Sequence, residues 1–143
     1  LAIKAKIEVK GLKELQKKLR ARAAAMQEIL EFRLKTLGEE AVKHAKRNKG
    51  YENRTGNLEN SISYILYKNG EVVSQHIGKT DGVDISGNPK SKGFTLVIAA
   101  GMSYGKYVED KGYNVLYLTK HFVKAEMAKI WVQTLEDVIK GNL

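Results

Sequence analysis

The chain has 143 residues, one proline, no cysteine, 43% hydrophobic residues and a formal charge of +9, the profile of one self-contained globular domain spanning residues 1–143. Without cysteine there is no disulfide framework, no thiolate nucleophile and no Cys-ligated zinc or iron–sulfur site. No apolar run reaches the ~18 to 20 residues that span a bilayer, and Lys4, Lys6, Glu8 and Lys10 interrupt any signal-peptide core, so an intracellular product is expected.

Residues 2–9 alternate Ile3, Ala5, Ile7 and Val9 with Lys4, Lys6 and Glu8, the period-2 pattern of a half-buried strand. After Gly11, Leu12, Leu15, Leu19, Ala23, Met26, Leu30, Leu34, Leu37, Ala41 and Ala45 recur at steps of three and four, which predicts an amphipathic helix of roughly 35 residues and about 50 Å. Gly38 is the expected point of a kink or fray, because glycine costs about 1 kcal/mol relative to alanine inside a helix. The helix is expected to end among Lys46, Arg47, Asn48, Lys49 and Gly50, where cations suit the negative end of the dipole and glycine suits the cap.

A loop to about residue 56 precedes residues 61–67, SISYILY. Asn69-Gly70 then supplies a type I′ turn, and residues 71–77, EVVSQHI, return as the second arm of a β-hairpin. Residues 78–93, GKTDGVDISGNPKSKG, read as a long, exposed, flexible loop. Residues 94–100, FTLVIAA, read as a strand central in the sheet. Tyr104, Tyr107 and Val108 share one face of a short helical turn stopped by Gly112. Thr119 is the expected cap of a last helix whose inner stripe is Phe122, Val123, Met127, Ile130, Trp131, Leu135, Val138 and Ile139. This order predicts an α+β domain. A small, mostly antiparallel sheet (N-terminal strand, hairpin, central strand) is packed on one face by the long N-terminal helix and the C-terminal helix.

The charge is one-sided: residues 1–50 carry fourteen Lys or Arg against six acids, residues 51–143 eleven against ten. Lys13, Lys17, Lys18, Arg20 and Arg22 form a run offset only by Glu14, suited to a polyanion or an acidic protein surface. A solvated helix face is the plain alternative.

Chemistry is harder to find. His44, His76 and His121 lack metal-site spacing. Asp81 and Asp84 lack the calcium-loop pattern, and there is no phosphate-cradling glycine loop or nucleophile elbow. No catalytic residue, metal or cofactor is therefore expected; the enzymatic alternative is a small hydrolase or nuclease using His76 with Asp81 or Asp84. Two clusters stand out. Arg54-Thr55-Gly56-Asn57-Leu58, with Ser61-Ile62 close behind, makes a rigid corner from loop into strand. Tyr104-Gly105-Lys106-Tyr107-Val108-Glu109, followed by Gly112, suits an interface as well as a core edge.

With its basic amphipathic helix, TGNLxxSI, hairpin, further strand and YGKYVE before the last helix, the chain resembles the small minor tail or neck proteins of long-tailed bacteriophages, the tail-completion or head–tail joining proteins. Thr55, Gly56, Asn57, Leu58, Ser61 and Ile62 carry the first motif, and Tyr104, Tyr107, Val108, Glu109 and Gly112 the second. The chain departs from the family pattern in lacking a proline before Arg54-Thr55, in having Glu59 where a basic residue is common, and in the added Asp110-Lys111. The resemblance implies a virion component without catalytic activity or membrane partner, made in the host cytoplasm and placed at the head–tail junction. It implies a homo-oligomeric ring, a hexamer, between the connector or head-closure protein and the tail-tube or tail-terminator protein, with double-stranded DNA passing through. The alternative is a basic nucleic-acid-binding domain without sequence specificity, using Lys13, Lys17, Lys18, Arg20 and Arg22.

Overall fold

The computed structural model describes residues 5, 10–47, 56–103, 105 and 116–141. Helix α1 (Leu12–Arg47) runs unbroken for 36 residues, about 54 Å at 1.5 Å per residue. A short turn of helix, α2 (Asn57–Asn60), leads into strand β1 (Ile62–Lys68); β2 (Glu71–His76), β3 (Phe94–Ala100) and the last helix, α3 (Tyr117–Ile139), follow. The strand expected over residues 2–9 lies outside the described residues, as does all but Gly105 of the turn expected over residues 104–112.

The sheet has the order β2-β1-β3, antiparallel throughout. Among the described residues the central position belongs to β1, not to the 94–100 strand expected there. β1 is the strand buried on both faces along nearly its whole length, whereas β3 is half-buried throughout and pairs with β1 on one side. The hairpin turn is as expected: Asn69 and Gly70 adopt φ of 53° and 82°, the two positive values that a type I′ turn requires. A bulge at Leu66/Tyr67 breaks the β1–β2 register, and Val73 packs against the cluster around Leu66.

Alternation along β1 builds two layers. Ile62, Tyr64 and Leu66 face α1, where Leu66 joins Leu34, Leu37, Ala41 and Val123, and Ile62 and Tyr64 join Val42 and Ala45. Ile65 and Tyr67, on the opposite face, are also buried. Residues 78–93 account for that. The Tyr67 hydroxyl donates to the Ser86 carbonyl at 2.5 Å, and Gly87 sits so close to Val97, the partner of Ile65, that an added Cβ would lie 3.2 Å from a valine methyl. The long loop is stitched down over the sheet's second face.

Gly38 does not kink α1. It is buried, and a Cβ there would stand 2.5 Å from the Tyr64 ring, so glycine is what lets helix and central strand approach this closely. α3 packs on α1 through Arg33, whose guanidinium donates to Thr134 Oγ1 and Asp137 Oδ2, each at 2.6 Å. At the other end of the crossing, His44 Nδ1 lies 2.9 Å from Thr119 Oγ1 and its ring stacks on Phe122. Thr119 is thus fully buried at the helix–helix contact and does not cap α3, which starts two residues earlier without a side-chain cap.

Candidate functional site

The first motif is a structural junction. Gly56 adopts φ 73° ahead of α2, and its carbonyl accepts from the Asn60 N–H at 2.9 Å. Leu58 is buried beneath the turn. Ser61, fully buried, donates its hydroxyl to the Leu58 carbonyl at 2.6 Å, and the Ser61 carbonyl accepts from the Gly101 N–H at 3.0 Å. The Asn60 carbonyl takes the Lys79 N–H at 2.9 Å, the Ser63 hydroxyl takes the Gly78 N–H at 2.9 Å, and Asn57 Oδ1 takes Lys79 Nζ at 3.0 Å. The start of β1, the chain leaving β2 and the chain leaving β3 are tied at this one point. The approach is tight enough that a Cβ on Gly78 would lie 2.1 Å from the Asn60 carbonyl oxygen and one on Gly101 would lie 2.4 Å from that of Lys79.

Asp81 extends the junction. Its backbone N–H donates to the Gly101 carbonyl at 3.1 Å, while its carboxylate accepts from the Ser103 N–H and, at 2.6 Å, from the Ser103 hydroxyl. The Ser103 hydroxyl and then its N–H hold the Asp81 carboxyl below the ordinary aspartate range. Gly105 brings the second motif to the first: a Cβ on it would touch Leu58 Cδ1 at 3.4 Å and the Ala100 methyl at 3.3 Å. Thr55, Tyr104, Tyr107, Val108, Glu109 and Gly112 lie outside the described residues.

Asp84 accepts the Ser86 N–H at 2.9 Å, the Asp81 carboxylate is engaged by Ser103, and His76 is the exposed last residue of β2. Among the described residues no cluster of three or more His, Cys, Asp or Glu is placed to hold a metal ion.

The exposed surface is more informative. Every residue from 10 to 24 is exposed, so the first half of α1, about 20 Å of helix, stands clear of the body. Lys13, Lys17, Lys18, Arg20 and Arg22 are all on it. Leu12, Leu15 and Leu19 remain 49%, 53% and 57% exposed, although they continue the stripe that Leu30, Leu34 and Leu37 bury farther along. At about 100° per residue, Lys13 and Arg20 flank one side of that stripe and Lys18 and Arg22 the other.

A second apolar surface was assigned to the core by periodicity and is not there. Trp131, Leu135 and Ile139 of α3 are 43%, 46% and 81% exposed. The signal lay in the spacing: these residues sit about 80 to 160° around the helix from Val123, whereas Met127, Ile130 and Thr134 stay within about 40° of it. Apart from them, between the first half of α3 and β3, runs an apolar groove of about 740 Å³, formed by Phe94, Leu96 and Ile98 with Val123 and Met127, and with Lys120 and Lys124 among its lining residues. Compared with family models, curated proteins and solved structures, the chain matches none of them.

Proposed function

We propose that the chain is a subunit of a homo-oligomeric ring at the head–tail junction of a long-tailed bacteriophage, joining the connector to the tail tube and letting DNA pass. The observation that carries this reading is the exposed first half of α1. Three leucines left in solvent on a stripe whose continuation, at Leu30, Leu34 and Leu37, is buried are a surface suited to another polypeptide. The two motifs support it by a different route. The residues of the first that are described, with Gly105 of the second, hold the ends of three strands in one rigid corner, a scaffold role that uses no reactive side chain.

Native mass measurement of the chain, alone and mixed with a connector or tail-tube protein, tests the reading. A discrete multiple of the chain mass is expected, alone or on addition of the partner; monomer in every mixture contradicts it.

The basic helix also favours a second reading, non-specific nucleic-acid binding. Exposed Lys13, Lys17, Lys18, Arg20 and Arg22 form a delocalised phosphate-attracting surface with no arrangement for reading base edges. Exposed leucines gain nothing from a phosphate backbone, which is why protein–protein assembly ranks first.

A further inference from the structure

The apolar groove beside β3 follows a strand edge. It is bordered by Phe94, Thr95, Leu96, Val97 and Ile98, five consecutive residues. Successive side chains of a strand point to opposite faces, so a cavity touching all five runs along the backbone edge and not along one face. Among the described residues that edge has no strand partner, because β3 pairs with β1 alone. Across the groove stand Val123 and Met127 of α3. An open edge facing an apolar wall is the receiving half of strand addition: main-chain hydrogen bonds hold an extended segment, and its alternate side chains fill the wall.

Residues 2–9 carry the matching pattern, with Ile3, Ala5, Ile7 and Val9 alternating with Lys4, Lys6 and Glu8. Eight extended residues cover about 27 Å, more than the about 17 Å of β3 from Phe94 to Ile98. Ala5, the described residue among them, is exposed and belongs to no helix or strand.

A chain's own segment does not reach its own groove. Leu66, the β1 partner of Leu96, packs with Leu34 and Leu37, and Tyr64, the partner of Ile98, lies against Gly38. The edge of β3 is thus level with residues 34–38 of α1, and Leu34 is about 35 Å of helix away from Gly11. Stretched out, residues 2–10 reach at most about 32 Å. The segment is used up in covering that distance and has nothing left to pair. The first half of α1, exposed from residue 12 to 24, instead carries the segment clear of its own body.

Resting on the assembly reading above, we propose that residues 2–9 of one copy add to β3 of the adjacent copy as a new edge strand, with Ile3, Ala5, Ile7 and Val9 in the groove against Val123 and Met127. Lys4, Lys6 and Glu8 then fall on the other face of the sheet, away from Lys120 and Lys124 of α3. The donating and receiving surfaces differ, so the contact is head-to-tail and passes from copy to copy until it closes.

The test uses the full chain with the photo-reactive residue benzoylphenylalanine in place of Ile7 or, separately, of Ala5. Isotope-labelled and unlabelled copies are mixed in equal amounts and illuminated, alone and with a connector or tail-tube protein present. Mass spectrometry is expected to find cross-links to residues 94–98 or 120–127, joining labelled to unlabelled copies as often as like to like. Lys6→Pro with Ile7→Pro removes the ladder donors of two successive residues, one for each edge of the strand. The pair is expected to lower the assembled fraction roughly tenfold or more with helical circular dichroism retained, whereas Ile7→Val keeps assembly. Cross-links confined to single copies, or landing on the connector or tail-tube protein, overturn the proposal. Assembly unaffected by the two prolines overturns it too while leaving the ring reading standing. Monomer in every mixture sinks both.

Discussion

Gly38 is the residue at which local preference and packing pull in opposite directions. Alanine there gains about 1 kcal/mol of helix propensity, but its methyl enters the space of a Tyr64 ring that is 3% exposed and whose hydroxyl is held 3.0 Å from Ser74 Oγ. Overpacking of this kind costs about 1–3 kcal/mol, so Gly38→Ala is expected to destabilise by up to about 2 kcal/mol net, read by urea unfolding. Glycine inside a periodic helical pattern looked like a break because the sequence does not announce which strand crosses it. Asp81 and Asp137 make a pH prediction. The Ser103 hydroxyl foremost lowers Asp81; Arg33 foremost, then Gln133, lowers Asp137. A carboxyl depressed in the folded state adds stability that is complete above the unfolded aspartate value, about 3.9, and that is lost as pH falls through the lower folded value. Asp81→Asn and Asp137→Asn are each expected to reduce stability at neutral pH and to flatten its decline on acidification, with the difference from wild type vanishing at the acid end. Unfolding midpoints measured across that range check this.

At the scale of elements, α1 divides into two functional halves along one uninterrupted stripe. Leu34→Ala, within the buried half, removes a side chain that is 1% exposed and is expected to cost about 2–5 kcal/mol. Leu15→Ser with Leu19→Ser, in the exposed half, is expected to leave the unfolding free energy within about 0.5 kcal/mol per site. Denaturant curves of the two variants side by side test this division. The hairpin, with its positive-φ turn, and the extent of α1 were legible because they rest on local periodicity and local turn chemistry. Where that stripe stops being covered was not, because burial depends on where α3 ends. The same limit explains Trp131, Leu135 and Ile139, apolar residues at helical spacing that periodicity alone sends to the core. It also bears on the 94–100 strand: an apolar run reads as central, yet among the described residues β1 holds that place, paired with β2 on one edge and β3 on the other. The first motif was legible as a rigid corner around Gly56; that it ties together the ends of three strands came only with the tertiary contacts of Ser61, Lys79 and Gly101.

For the whole molecule, charge asymmetry becomes spatial asymmetry. The cations at Lys13, Lys17, Lys18, Arg20 and Arg22 extend from the body at one end of α1, and the acidic last turn of α3 lies partway along it, beside Arg33. If the exposed basic helix also meets passing DNA, binding should fall steeply as salt rises and be indifferent to sequence, and replacing Lys17, Lys18, Arg20 and Arg22 by glutamine should reduce the salt slope. A filter-binding titration at several salt concentrations reads both. The central claim, that the uncovered leucines of α1 are an assembly surface, is tested most directly by sedimentation velocity of the wild-type chain beside the Leu15→Ser/Leu19→Ser variant, each alone and mixed with a connector or tail-tube protein, over a wide concentration range. The account predicts a discrete closed oligomer for the wild type, alone or with the partner, and a folded chain that does not assemble for the variant. Identical sedimentation of the two in every mixture and at every concentration would contradict it.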